Sequence, residues 1–347
     1  MLNIAIRADG SPDIGMGHIM RCLSLAEELE RIGCSVYFLS NFAAGIREIG
    51  KAGLKAIELQ GSDLDSSIDL KSEADLIIKL IGTYEIDVLI IDTYNVDFEY
   101  LSKLKKNVKK LVYIDDINKF SYPVDVLVNG NITGEYLNYH KYSENEMMLL
   151  GPQYNLIRGE FKNLPARSTN KEVKSMMITT GGSDPYNLSI RIPEVLLKVD
   201  ELKDLKVNIV VGNMFSNKDR LHEMRKKNEN IILHENVRHM SEIMLSSDLA
   251  ISSGGSTLYE LCACGLPTLA FIMADNQEFI AEKMSEFGYV KNLGWYNELD
   301  EKVIKDNVKL ISEDCRLRKE MAIRGQTLVD AQGAKRVATS IIGQLVK

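Results

Sequence analysis

Along this chain, short apolar runs alternate with stretches whose apolar positions recur every three or four residues. The runs read as strands: Asn3–Arg7, Ser35–Leu39, Val88–Asp92, Leu111–Ile114 and Val126–Val128 in the first half, then Ser175–Thr179, Val207–Val211, Ile231–Leu233, Leu249–Ile251 and Thr268–Ile272 in the second. Helical spacing predicts helices over 17–32, 71–84, 186–199 and 256–264, among others. Such alternation implies parallel sheets wrapped by helices. Gly151-Pro152 through Asn170 is polar, contains proline and has little periodicity, as a linker would. The expectation is two α/β lobes with a cleft between them, 1–155 and 173–347, joined by a linker over 156–172. The last helix is a candidate to pack back on the first lobe.

At 347 residues the chain is long for one domain and sufficient for two, each with its own core. A net charge of −7 argues against nucleic acid as a partner, because phosphate binding needs a basic face. No apolar run approaches the ~18 residues of a membrane span. The amino terminus enters a strand without a basic leader and hydrophobic signal core, which predicts a soluble cytoplasmic protein. Cys22, Cys34, Cys262, Cys264 and Cys315 read as reduced thiols, mostly core filler; Cys262-Ala263-Cys264 lacks the spacing of a metal or redox motif. Residues 60–75, acidic and rich in serine, read as a solvated helix or loop, and they include Asp63-Leu64-Asp65. The sequence does not fix the oligomeric state; a monomer is compatible with it.

The chemistry concentrates in three strand-to-helix turns. The first is Arg7-Ala8-Asp9-Gly10-Ser11-Pro12-Asp13-Ile14-Gly15-Met16-Gly17-His18-Ile19-Met20-Arg21. It places His18 in the first helical turn, at the carboxyl end of the first strand, where open α/β sheets bind ligands. His18 is the candidate catalytic base; the alternative is a helix-terminal histidine bonded to a loop. Asp9 and Asp13 are candidates to fix its tautomer, Arg21 to hold an anionic leaving group, and Gly17 to expose backbone N–H. Met20 occupies the third glycine position of the dinucleotide fingerprint, and no G-x-x-x-x-G-K-[ST] loop occurs, so nicotinamide and ATP chemistry are disfavoured.

The second turn, Gly181-Gly182-Ser183-Asp184-Pro185-Tyr186-Asn187, predicts Asp184 as helix cap with Pro185 at the first helical position. The third, Ser252-Ser253-Gly254-Gly255-Ser256-Thr257-Leu258-Tyr259-Glu260, offers unhindered N–H groups and hydroxyls as a seat for a diphosphate. Glu260 reads either as the acid of a capping box with Thr257 or as an acceptor for ribose hydroxyls. Downstream, Asp275 is a candidate cap, and Asn276 and Gln277 are candidates to reach a sugar or phosphate.

These motifs resemble a known group. Gly-Gly-Ser-x-x-x-Glu, then Gly-x-Pro, then Asn-Gln is similar to the nucleotide-binding lobe of UDP-sugar enzymes of the GT-B fold, including MurG-type glycosyltransferases. The opening Arg-x-Asp-x-Ser-x-x-Ile-Gly-x-Gly-His-x-x-Arg-Cys-Leu-x-Leu-Ala looks like the PseG family, UDP-2,4-diacetamido-2,4,6-trideoxy-β-L-altropyranose hydrolases of pseudaminic acid biosynthesis, with its spore-coat polysaccharide relatives. Asp92-Thr93-Tyr94, Asp115-Asp116 and Asp330 to Arg336 extend the resemblance nearly end to end. It implies a GT-B-like α/β fold of two Rossmann-like lobes and metal-independent, inverting cleavage of a UDP-sugar at its anomeric carbon. It further implies His18 as catalytic residue, Asn187 and Glu260 as substrate-binding residues, and Tyr94 and Asn276 as further site residues. Gly182, Gly255, Ser256, Thr257 and Gln277 complete the expected nucleotide contacts, and no cofactor or metal is expected. The rivals are a glycosyltransferase of the same fold, a sugar-nucleotide epimerase and a non-catalytic sugar-nucleotide-binding protein.

Overall fold

The apolar runs become strands covered on both faces, which is why they read as continuous and not as alternating. The computed structural model describes all residues except 12, 13, 60–68, 200, 201, 203 and 344–347, so Asp13 and Asp63–Asp65 lie outside the described residues. It divides into two units, Met1–Arg158 with the segment from Gln332 onward, and Gly159–Ala331.

The first unit contains β1 (Asn3–Ala8), α1 (Gly17–Arg31), β2 (Ser35–Ser40), α2 (Ala43–Lys51), β3 (Lys55–Glu58), α3 (Leu70–Thr83), β4 (Val88–Asp92), α4 (Phe98–Lys105), β5 (Lys110–Ile114), β6 (Val126–Asn129) and β7 (Met147–Leu150). All strand pairs are parallel, in the order β3-β2-β1-β4-β5-β6-β7. Successive residues of β4 serve opposite faces. Val88 and Ile90 join a cluster with Ile19, Cys22 and Leu25 of α1, whereas Leu89 and Ile91 join Ile77 of α3 and Leu101 of α4. The first cluster also takes Val337, Ala338 and Ile341 from the last helix, Gly333–Gly343, which packs on α1. That helix starts with backbone against backbone: a Cβ on Gly333 would stand 2.1 Å from the Asn155 carbonyl oxygen.

The second unit runs β8 (Ser175–Thr179), α5 (Leu188–Leu196), β9 (Lys206–Val211), α6 (Lys218–Lys227), β10 (Ile231–Glu235), α7 (Met240–Ser246), β11 (Leu249–Ser253), α8 (Thr257–Ala263), β12 (Thr268–Ile272), α9 (Asp275–Glu286), β13 (Lys291–Trp295), α10 (Glu301–Glu313) and α11 (Cys315–Leu328); the last helix of the chain is then α12. Its sheet is parallel, in the order β10-β9-β8-β11-β12-β13. From Gly159 onward the stretch expected as a linker is bonded into this unit. Glu160 accepts from Ser241 N at 3.1 Å and Ser241 Oγ at 2.8 Å. The buried Arg318 donates to the carbonyls of Asn170 and Lys171 at 2.9 and 2.8 Å.

The strands absent from the sequence reading, β3, β7 and β13, all lie at sheet edges. Among the described residues no helix is long and apolar enough to cross a membrane. In each sheet the strand order reverses at one point, between β1 and β4 in the first unit and between β8 and β11 in the second. The carboxyl ends of the strands at such a point are the ligand-binding edge of an open α/β sheet.

Candidate active site

At the reversal point of the first sheet, Ala8 ending β1 is in register with Asp92 ending β4. After β1, Ser11 and Gly15 exchange backbone hydrogen bonds of 3.3 and 2.8 Å. Gly10 has no room for a side chain, because its Cβ would fall 2.8 Å from Met16 Sδ and 2.9 Å from Ile19 Cγ1. Gly15 takes φ +76°, the left-handed region that suits glycine. Gly17 opens α1, and a Cβ on it would stand in open space.

One residue later His18 points at β4. Its Nδ1 lies 2.6 Å from Asp92 Oδ1, with the imidazole 11% exposed and the carboxylate fully buried. Arg21, next along the same face of α1, holds both oxygens of Asp92: Nε to Oδ2 at 2.6 Å and one terminal nitrogen to Oδ1 at 2.5 Å. Its other terminal nitrogen donates to Asp116 Oδ2 at 3.1 Å. Cys22 Sγ adds a donor to Asp92 Oδ2 at 3.2 Å, and the Tyr94 ring meets His18 edge-on at 4.8 Å.

The shortest contact favours a proton on Nδ1: an ionised carboxylate only accepts, so at 2.6 Å it takes an Nδ1–H, and in the neutral ring Nε2 then carries the lone pair. The Arg21 nitrogen that lies 3.1 Å from Nδ1 makes the shorter contact, 2.5 Å, with Asp92 Oδ1. Asp92 is ionised: burial alone would push its carboxyl up, but Arg21 and then His18 hold it well below the usual carboxylate range. The same pairing outweighs the burial of Arg21 and raises its value well above normal. The arrangement can take a proton at Nε2 and stabilise the resulting imidazolium.

One expectation changes here. Asp9 does not orient His18; its carboxylate is buried and accepts from Ser40 Oγ at 3.1 Å and Asn41 N at 2.8 Å, and it pairs with Arg7 at 2.6 Å. Asp92 does the orienting. The signal was present as an acid ending the apolar run Val88–Ile91 beside β1, but a strand end reads equally well as the start of a loop. Asp92 and Asp116, the latter two residues past β5, stand in the sequence only as parts of the family resemblance, with no role attached.

In the second unit the two glycine turns stand side by side at the carboxyl edge, with a Cβ on Gly181 reaching 3.9 Å from Ser253 Oγ. A Cβ on Gly182 would approach Met214 Cε to 3.1 Å, and Met214 N donates to the Gly182 carbonyl at 3.2 Å. The cap of α5 differs from expectation. The helix starts at Leu188, so Pro185 lies outside it, and Asp184 reaches forward to accept from Leu188 N at 2.8 Å and Ser189 N at 3.0 Å. Asn187 holds the left-handed backbone (φ +54°) before the helix, and its Oδ1 accepts from Asn217 Nδ2 at 3.0 Å.

Ser256 is the residue before α8, with Thr257 the first inside it and no side-chain cap at Ser256. A capping box joins the cap to the third helical residue; Glu260 is one position too far along, so that reading of it fails. Glu260 is half-buried in the first turns of α8. Gly254 packs against Gln277, whose Cβ lies 3.2 Å from where a Gly254 Cβ would be and whose Oε1 accepts from Met273 N at 3.0 Å; a Cβ on Gly255 would meet only Gln277 Nε2, at 3.9 Å. Asn276 is exposed in the first turn of α9. Asp275 is the first helical residue and not the cap, which is Ala274.

Comparison with known proteins identifies the class. Residues 176–337 match the glycosyltransferase family 28 C-terminal domain. The crystal structure of Acinetobacter baumannii MurG superposes with a TM-score of 0.74 at 13% identity, covering 99% of this chain and 100% of that one. The protein therefore has the MurG-like GT-B fold. Its homologues narrow this further. A Campylobacter jejuni protein named UDP-2,4-diacetamido-2,4,6-trideoxy-beta-L-altropyranose hydrolase is 28% identical over 83% of this chain and 98% of its own length. The Bacillus subtilis spore coat polysaccharide biosynthesis protein SpsG is 26% identical over 99% of this chain and 98% of its own. An uncharacterised protein of Methanocaldococcus jannaschii is 34% identical over 80% of this chain, which spans only 57% of that relative. The chain is thus homologous to proteins of that hydrolase name.

Proposed function

We propose that this protein hydrolyses a UDP-linked 2,4-diacetamido-2,4,6-trideoxy sugar at its anomeric carbon, supplying a nonulosonic acid pathway such as that to pseudaminic acid. The observation that carries the reading is the His18–Asp92 pair at 2.6 Å, with Nε2 left to accept a proton. The water oxygen forms a bond to the anomeric carbon while its proton passes to His18 Nε2. The bond from that carbon to the diphosphate oxygen breaks, and its electron pair leaves with UDP. Single displacement inverts the anomeric centre. UDP is a good leaving group, so the remaining task is electrostatic. The N–H groups and hydroxyls of Gly255, Ser256 and Thr257, with Gly182, Asn276 and Gln277, are assigned to the diphosphate, and Glu260 to ribose hydroxyls. Tyr94 borders the base, and no metal is assigned.

The family 28 match favours a second reading, transfer to an acceptor hydroxyl. One experiment separates the two. Candidate UDP-sugars are incubated with the protein in ¹⁸O water without acceptor, and UDP and label are followed. Hydrolysis gives UDP free of label and a labelled sugar. Turnover only on addition of an acceptor establishes transfer, and label in UDP means attack at phosphorus and ends both readings.

A further inference from the structure

Hydrolysis as written gives Arg21 and Asp116 no part. The guanidinium was a candidate for holding the leaving diphosphate, yet its Nε and both terminal nitrogens already face Asp92 and Asp116. Its planar fork matches the Asp92 carboxylate side-on, the strongest pairing open to arginine. Asp116 is itself nine-tenths buried. Its Oδ2 takes Arg21, and its Oδ1 is buried without a hydrogen-bond partner among the described residues. Nothing about this arrangement favours an incoming anion.

It does bear on the proton affinity of His18. An unopposed buried carboxylate at 2.6 Å would hold the imidazole in its protonated form, and a protonated imidazole takes no proton from water. Arg21 lies against the same carboxylate and cancels most of its charge, and Asp116 on the far side of Arg21 offsets part of that cancellation. Among the described residues, the groups facing His18 are Arg21 from α1, Asp92 ending β4 and the Tyr94 ring beyond it. Cys22 donates into Asp92. Asp115, adjacent to Asp116, is turned toward Tyr122 and Tyr139, from which it accepts at 2.9 and 2.5 Å.

We infer that Arg21 and Asp116 form a charge balance around the His18–Asp92 pair that sets the proton affinity of His18. Both are positioning residues: Arg21 acts through Asp92 and also directly, with a terminal nitrogen 3.1 Å from His18 Nδ1, and Asp116 acts through Arg21. The inference deepens the hydrolase reading and rests on His18 being the base. It makes opposite demands on two substitutions. Arg21→Gln removes the cation and moves the His18 midpoint to higher pH by about one pH unit or more. Asp116→Asn leaves Arg21 more fully on Asp92 and moves the midpoint down, by less because the lost charge is farther away.

The test is an NMR titration of the imidazole resonances in full-length wild type, Arg21→Gln and Asp116→Asn, with His18 assigned from the spectrum of His18→Asn. Opposite shifts establish the balance; an unmoved His18, or shifts of one sign, overturns it. Should Arg21→Gln fail to fold, Asp116→Asn retains the Arg21–Asp92 pair, and its downward shift or lack of one decides alone. The acid limb of kcat/KM for UDP release should follow the NMR midpoints. Because the titration needs no substrate, the two readings fail separately. Opposite shifts without UDP release from wild type remove the hydrolase and leave the balance, whereas UDP release with an unmoved His18 does the reverse.

Discussion

Asp92 Oδ1 lies 2.6 Å from His18 Nδ1, and this contact favours the tautomer in which Nε2 is the free nitrogen. In Asp92→Asn the amide can turn its NH₂ toward Nδ1, favouring the tautomer with Nε2 protonated and removing the base. UDP release should fall by about 10²–10⁴-fold with UDP affinity unchanged, as steady-state kinetics and calorimetric titration would show.

The same substitution has a signature in acid. Arg21 and His18 together overcome burial and hold Asp92 below its ordinary value in the folded protein. A carboxylate so depressed adds stability that is fully present above its unfolded value of about 4 and is lost as pH falls through the folded one. Thermal melts of wild type should therefore drop more steeply below about pH 4 than those of Asp92→Asn. At neutral pH the variant should be less stable by about 3–5 kcal/mol, since Arg21 is left buried without its main partner. Parallel acid limbs would contradict this.

His18→Asn should abolish turnover while leaving UDP binding nearly intact, because the residues assigned to the nucleotide belong to the other unit. The loss should fall on kcat. In wild type the rate should decline as pH drops through the His18 midpoint, since only neutral imidazole accepts a proton. A rate indifferent to pH in that range would remove His18 from the base role.

For Glu260→Gln, calorimetry with UDP and thermal melts should move apart: weaker binding, near-unchanged melting. With Thr257 inside α8 and not at its cap, no capping box is lost to explain a fall in stability. Unchanged UDP affinity would end the ribose assignment.

Turnover should survive EDTA at the wild-type rate. The diphosphate charge is assigned to N–H groups and hydroxyls of the Gly255–Thr257 turn, which need no magnesium. Activity lost to EDTA and restored by magnesium would show that this assignment of the leaving-group contacts is wrong.

Central strands and helix α1 were legible because continuous apolar runs and helical periodicity are what burial on both faces demands. The edge strands β3, β7 and β13 were not. Lys55–Glu58 is short and half polar, Met147–Leu150 is rich in methionine and leucine, and Lys291–Trp295 bends at Gly294 with φ +86°. His18 was legible from its glycine-rich setting, but its partner was not. Local spacing favoured Asp9, whereas parallel pairing of β1 with β4 brings Asp92 from more than seventy residues away. Long-range register is not written in any local pattern. At α5 the difference is local: Asn187 enters the left-handed region and delays the helix past Pro185, so Asp184 still meets the first helical N–H groups but from further back than a cap ordinarily does.

The helix α12 has a consequence for biosynthesis. Its residues Val337, Ala338 and Ile341 complete the same core as Ile19 and Leu25, yet the whole of Gly159–Ala331 lies between them in the chain. A ribosome adding about 5–20 residues per second needs on the order of tens of seconds to cross that interval. The amino-terminal unit, first to emerge, therefore waits with one apolar face of α1 uncovered until the carboxy-terminal unit has been synthesised. In order of completion, the half of the protein that carries His18 is finished last.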